Sequence, residues 1–293
     1  MATLRDILRK IGAVKKTQQI TRAMNMVAAA KLRSTQARME SFDPYAGKFV
    51  EVLGNLSSRI DPEIHPLMVK REDVSKVELL LFTSDRGLCG SFNMNNILLG
   101  EKWVKEQEES GREYGMTLVG RKGRDYLRNR GYNIISSHVQ IYGSVDISFI
   151  NKMTMDFINR YMDNELDELY MLYTRFINMG KQEPALVKLI PIEPPTREDV
   201  VEGQKAAEYL CEPSAEDLLI ELLPKHISVQ ILNAFLQNEV SEHAARMAAM
   251  DNATKNCKEM VEDLTLMYNK ARQAAITTEL MDIVSGAEAI KSA

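Results

Sequence analysis

From Leu4 onward, apolar or small residues return at alternating intervals of three and four. One line holds Leu4, Ile11, Gln18, Asn25, Leu32, Met39 and Ala46; the other holds Ile7, Val14, Thr21, Ala28, Thr35, Phe42 and Phe49. This spacing predicts a single helix over 3–58 carrying a coiled-coil seam, with a polar, small-residue stretch from 18 to 28. Pro44 falls off the seam, where it is expected to kink the helix without ending it.

The C-terminal third repeats the pattern more strictly. Leu236, Val240, His243, Met247, Met250, Thr254, Cys257, Val261, Leu264, Tyr268, Ala271, Ala275 and Thr278 hold a 3.5-residue period, which imposes a left-handed supercoil. At ~1.5 Å per residue the stretch 236–278 spans roughly 64 Å. The helix is expected to begin upstream, where Ser214 and Asp217 suit a capping box, and to run from 214 to about 287. Pro224 is a candidate kink.

Between these segments the pattern changes. Apolar runs at 77–83, 116–120, 133–139, 168–176 and 185–192 read as strands, and helical patterns at 91–109, 121–130 and 145–162 separate the first four. Strand–helix alternation predicts an α/β unit with a largely parallel sheet. The acidic, proline-rich stretch 190–204 reads as a loop leaving it. Two arms that flank one unit can return to pair with each other, and they must then run antiparallel. Residues near 50 would face those near 230, Met1 would face the 270s, and the longer C-terminal arm would project as a tip.

Charge sharpens this picture. The whole chain of 293 residues carries a net −4. Residues 1–40 hold nine Lys/Arg (Arg5, Arg9, Lys10, Lys15, Lys16, Arg22, Lys31, Arg33 and Arg38) against Asp6 and Glu40, a local +7 beside −11 for the remainder. A basic arm on an acidic body implies a polyanionic partner, either nucleic acid or an acidic protein surface. Residues 1–41 lack aromatics for base stacking, which weighs against nucleic acid but leaves it as the alternative. The basic, amphipathic start could suggest a transit peptide, but its pattern continues for dozens of residues and reads as mature structure. No apolar stretch approaches the ~20 residues that span a bilayer.

Candidate chemistry is sparse. SDRGLCGSFN (84–93) follows an apolar run and precedes a helix, the usual place for bound phosphate. It offers Gly87 and Gly90 as GxxG, without GxGxxG or GxxxxGK[ST]. The pair Gly115 and Gly120 encloses a strand rather than a phosphate loop. The glycines are therefore expected to permit a tight turn. Cys89, Cys211 and Cys257 form no CxxC pair, and the four histidines sit on different elements. No cofactor, metal or catalytic set is indicated, although an independent α/β enzyme with helical arms stays as a rival.

The stretches LRDILRKIGAVKKTQQITRAMNMVAAAKLR (4–33), TSDRGLCGSFN (83–93), SEHAARMAAMDNAT (241–254) and YNKARQAAITTELMDIVSGAEA (268–289) together resemble the gamma subunit of F-type ATP synthases over essentially the whole chain. The resemblance implies an antiparallel coiled coil of the terminal helices (1–60 and 209–293) with a Rossmann-like α/β foot (61–208) inserted between them. It implies a non-catalytic rotor shaft that turns inside the alpha and beta subunits and couples ion flow through the c ring to ATP synthesis, beside the epsilon subunit and without nucleic acid. By motif, Arg9, Arg22, Met24, Met26 and Arg33 would meet the beta subunits. Arg272, Gln273, Thr277 and Glu279 would form the upper contact with alpha and beta, and Tyr209 and Glu212 would touch the c ring. Gly87 and Gly90 would shape a structural turn. A bacterial-type protein, peripheral on the cytoplasmic face of the inner membrane and attached through the c ring, follows.

Overall fold

The computed structural model describes residues 3–57, 60, 64–143, 146–193 and 214–291. Two compact units divide it, Met1–Ala28 with Met247–Ala293, and Ala29–Arg246. Helix α1 (Leu4–Ser57) and helix α5 (Ala215–Lys291) contribute to both. Each begins on a side-chain cap. Thr3 and Asp6 close a reciprocal box at α1, with the Asp6 amide on Thr3 Oγ1 at 3.2 Å and the Thr3 amide on Asp6 Oδ2 at 3.1 Å. Ser214 Oγ accepts the Asp217 amide at 3.0 Å, as the sequence suggests. Pro44 and Pro224 both lie inside continuous helix.

In the first unit the two helices pair antiparallel. Thr21 Oγ1 and Thr254 Oγ1 are 2.8 Å apart, and Asn25 Nδ2 donates to the Met247 carbonyl at 2.9 Å. Ile7, Ile11 and Thr21 are buried on α1. Beyond Asn256, the residues of α5 shielded from solvent are Cys257, Val261, Leu264, Tyr268, Ala271 and Ala275, the predicted seam; Thr278 and everything described after it are exposed. The small, polar stretch bonds across the seam through hydroxyl and amide groups. Such groups fix register better than interchangeable apolar contacts do.

The second unit is a five-stranded sheet with helices on both faces. Its strands are β1 (Lys76–Phe82), β2 (Glu113–Val119), β3 (Ile134–His138), β4 (Glu168–Asn178) and β5 (Lys181–Ile190). Helices α2 (Phe92–Glu109), α3 (Arg121–Arg128) and α4 (Ile147–Met162) connect the first four. The order is β3-β2-β1-β4-β5, parallel except for the β4–β5 hairpin. Central β1 is buried on both faces, which explains its unbroken apolar run. Val77, Leu79 and Leu81 pack with Ile97, Trp103 and Val104 of α2, while Leu80 and Phe82 join Phe157 and Tyr161 of α4 and Ile227, Ile231 and Phe235 of α5. Phe82 and Phe235 meet edge to face at 4.8 Å. Burying a ring of this size contributes on the order of 2–3 kcal/mol.

Glu78 is the exception on β1, a carboxylate only 1% exposed. Thr117 Oγ1 donates to it at 2.6 Å and Arg160 of α4 pairs with it, so the buried charge is neutralised and hydrogen-bonded. In the same unit α1 meets α5 through Phe49, stacked on His226 at 6.2 Å, close to the pairing expected from the arms. Burial pulls the His226 imidazole down from 6.5 to about 4, and its Nδ1 has no hydrogen-bond partner among the described residues.

The unfolded chain therefore binds a proton at His226 that the folded chain refuses between pH 6.5 and about 4. Stability contributed by this site is full above pH 6.5 and is lost as pH falls through that window. His226→Phe should flatten the decline in urea midpoint across it, recovering roughly 2–3 kcal/mol at the acid end. Unchanged curves in urea titrations at pH 7, 6, 5 and 4 would contradict this.

Candidate functional site

The loop from 83 to 93 lies at the carboxyl ends of the parallel strands, where α/β folds bind phosphate. Its hydrogen bonds are turned inward. The Ser84 amide donates to Asn93 Oδ1 at 2.8 Å, Ser84 Oγ to the Arg86 carbonyl at 2.6 Å, and Asn93 Nδ2 to Ser84 Oγ at 2.8 Å. The first amides of α3 are also consumed. Arg121 N donates to Asp85 Oδ1 at 3.0 Å, Lys122 N to the Ser84 carbonyl at 3.0 Å, and Gly123 N to Thr83 Oγ1 at 2.9 Å. The Asp85 carboxylate thus takes the place an anion would occupy at this helix start, and its Oδ2 accepts from Gln140 N at 2.9 Å.

The glycines divide by need. Gly90 (φ 59°) and Leu88 (φ 63°) adopt the left-handed conformation. Gly87 does not, and a Cβ there would make ordinary contact with the end of the Lys122 side chain, Cε at 3.5 Å and Nζ at 3.7 Å. Its contribution to the turn is its carbonyl. Gly120, at φ 97°, is the tighter constraint: an added Cβ would lie 2.1 Å from the Thr83 carbonyl oxygen.

Chain order places β2 and β3 on one side of β1 and β4 on the other, so the crevice at the ends of β1 and β4 is the topological switch point. Side chains of α5 fill it. Asn238 Oδ1 accepts the Thr174 amide at 3.2 Å and Asn238 Nδ2 donates to Tyr142 Oη at 2.9 Å. Tyr142 Oη donates to the Thr83 carbonyl at 2.7 Å, and Ser241 Oγ to the Thr174 carbonyl at 3.3 Å. Asn96 Nδ2 satisfies the Phe82 carbonyl at 2.9 Å. Residues 238–244 of α5 are all buried, although five of the seven are polar or charged. A helix buried on every side is expected to be apolar; here the polar side chains answer backbone groups of β4, at Thr174, that β1 does not reach.

One turn further, Arg246 joins this helix to the loop. Its guanidinium donates to the Arg86 carbonyl at 3.3 Å and the Gly87 carbonyl at 3.4 Å, and pairs with Glu242 at 2.6 Å. It also donates to His243 Nδ1 at 3.3 Å, which fixes that ring as the neutral tautomer protonated on Nε2. Burial, then the Arg246 and Lys31 charges, lower the His243 imidazole to about 4. Burial pushes the Glu242 carboxyl up, opposed by Arg246. Cys89, buried under the loop, has its thiol pushed up by desolvation, which makes it a poor nucleophile. Among the described residues no cluster of His, Cys, Asp and Glu is placed to hold a metal ion, and no helix is long and apolar enough to cross a membrane.

The other predicted site residues are scattered along the two long helices. Arg9, Arg22 and Arg33 are exposed on α1, as are Arg5, Lys10, Lys15, Lys16 and Lys31, and none of the eight is in an ion pair among the described residues. Arg38 is the exception, 3.5 Å from Glu239. Met26 stands 61% exposed beside these cations, with Met24 half-buried. Arg272, Gln273, Thr277 and Glu279 are exposed on α5. Tyr209, Cys211 and Glu212 lie outside the described residues. Sequence reading did not find Asn238, Ser241, Glu242, Arg246 or Tyr142. The available signal was the polar run QNEVSEH (237–243) following the apolar stretch ILNAFL (231–236) of α5.

Arg246→Gln should lower the unfolding free energy by about 3 kcal/mol, because it leaves Glu242 buried without its counter-charge. Adding Glu242→Gln should restore part of that loss in a double-mutant cycle of chemical denaturation. Gly120→Ala should cost about 3 kcal/mol through strain and collision, whereas Gly87→Ala should change stability by less than about 1 kcal/mol. Equal costs at the two glycines would refute the assignment.

A sequence model of the family described as ATP synthase matches residues 3–290. The ATP synthase gamma chain of Syntrophobacter fumaroxidans is 51% identical over 292 residues, covering 99% of this chain and 100% of the relative. That of Syntrophus aciditrophicus is 48% identical over 290 residues, with 99% of each covered. Among solved structures, a chain of the Euglena gracilis mitochondrial ATP synthase (OSCP/F1/c-ring, rotational state 3) superposes with a TM-score of 0.64 at 21% identity, over 98% of this chain and 94% of that one. A chain of the Tetrahymena thermophila mitochondrial ATP synthase central stalk and c-ring gives 0.57 at 26% identity, over 80% and 99%. With these matches along its whole length, the chain belongs to the ATP synthase gamma-chain family.

Proposed function

We propose that this chain is the central rotor shaft of an F-type ATP synthase, a non-catalytic subunit that couples ion flow through the c ring to conformational cycling of the catalytic beta subunits. The observation that carries this reading is the filled switch point. The one crevice where an α/β unit would bind a nucleotide is occupied by α5, gripped by Asn238, Ser241 and Arg246. A helix held by polar bonds at several successive turns resists rotation in its socket, as torque transfer requires. Apolar contact alone would let it slip.

The functional division we favour is two arms, 1–60 and 209–293, around a foot, 61–208. Its partners are the alpha and beta subunits, the epsilon subunit and the c ring. The unpaired cations of α1 support a contact with acidic loops of the beta subunits through Arg9, Arg22 and Arg33, with Met24 and Met26 beside them. Charge attraction suits a moving contact because it is long-ranged and tolerant of geometry. Arg272, Gln273, Thr277 and Glu279 are proposed for the upper contact with alpha and beta, and Tyr209 and Glu212 for the c ring. The bacterial sources of the gamma-chain relatives support a peripheral position on the cytoplasmic face of the inner membrane.

Capture of the tagged chain from native membranes should bring down alpha and beta subunits with ATPase activity, and calorimetric titration of the isolated chain with ATP should give no saturable heat. A free chain that hydrolyses ATP would overturn the reading. Arg22→Glu combined with Arg33→Glu should weaken association with a reconstituted alpha–beta head about tenfold at low salt, and the deficit should shrink as ionic strength rises.

A further inference from the structure

The two edges of the sheet are not protected alike. Edge strand β5 carries Lys181, Glu183, Pro184 and Lys188, the charges and proline that discourage another strand from pairing. Edge strand β3 reads IISSH, with no proline, Lys, Asp or Glu, and among the described residues no strand pairs with its outer side. Ile135 is 51% exposed on it. Alongside runs RKGRDYLRNR (121–130), five cations against Asp125. Arg124 and Arg128 line one groove of about 670 Å³ together with Asn133, Ile135 and Ser137 of the strand and its approach. Arg124 pairs with Asp125 at 2.7 Å, but Arg128 is exposed and in no ion pair among the described residues.

An open strand edge offers backbone donors and acceptors, and a cation row beside it selects what may pair there. We infer that the β3 edge with Arg124 and Arg128 is a docking surface for a short acidic polypeptide segment, which adds to the sheet as a sixth strand of about five residues. Backbone pairing supplies the alignment, and carboxylates on alternate residues reach the guanidinium groups. Ile135 gives the added strand an apolar neighbour. The groove lacks the aromatic stacking platform a nucleic acid would use, since Tyr132 is already engaged with Glu101 at 3.1 Å. This surface is separate from the basic face of α1 and does not depend on the rotor reading.

The test uses the full chain and a fluorescent, end-blocked heptapeptide of alternating Glu and Val. Saturable binding by anisotropy is expected, with slowed amide exchange at 134–138. Arg124→Gln with Arg128→Gln should weaken it at least tenfold, while leaving the thermal midpoint unchanged. The same peptide N-methylated at alternate residues should bind at least tenfold more weakly, because it cannot pair with the edge. No binding by the heptapeptide, equal binding by the N-methylated form, or unchanged binding by the double variant would each overturn the proposal. So would tighter binding of polyuridylate or anionic lipid vesicles that the heptapeptide fails to displace.

Discussion

The second unit depends on how the ends of two parallel strands are desolvated. Where β1 stops, its last backbone groups and the edge of β4 that runs on past it face a crevice that would otherwise hold water or a ligand. Asn238 and Ser241 satisfy the amide and carbonyl of Thr174, and Tyr142 satisfies the carbonyl of Thr83. A buried, unsatisfied polar group costs about 1–3 kcal/mol, so several such partners make the position of α5 specific. Phe235 against Phe82 supplies apolar adhesion. The polar bonds then determine which way the helix is turned.

The same logic explains a loop that looks built for phosphate. Its geometry has the parts of an anion site: a strand end, a left-handed glycine and a helix start. Asp85 already supplies the negative charge, and Arg246 takes the carbonyls of Arg86 and Gly87. A free anion at this helix start would be repelled by the Asp85 carboxylate, which already holds the Arg121 amide. The loop therefore works as a bracket between α3 and α5. Gly90 permits its bend, and Gly120 lets β2 leave the sheet against Thr83.

Family membership and geometry speak to different parts of the molecule. Whole-length identity of about half to bacterial gamma chains identifies the family. The hydrogen bonds show how one α/β unit can grip a helix instead of a nucleotide. The eight cations of α1 that are in no ion pair among the described residues are the complementary fact. A row of like charges with few carboxylates beside it is costly to assemble through self-repulsion, and an external polyanion relieves that cost.

Much of this was legible in the sequence. Every predicted seam position of α1 is shielded from solvent, and α5 keeps its register from Cys257 to Ala275, because a 3.5-residue period on a helix can face only one way. The strands were legible for a similar reason: a short apolar run between turn signals has few ways to be buried. What sequence could not determine was the use of QNEVSEH. A polar residue on a helix reads as solvated unless its partner is known, and Thr174, Tyr142 and Gly87 lie 64, 96 and 159 residues from theirs. Nor could it separate Gly90 from Gly87, because backbone dihedrals at a turn are chosen by the surrounding packing. Local periodicity determined the arms and the sheet. Only tertiary structure decided what fills the crevice, because that depends on which distant polar groups meet when water is excluded.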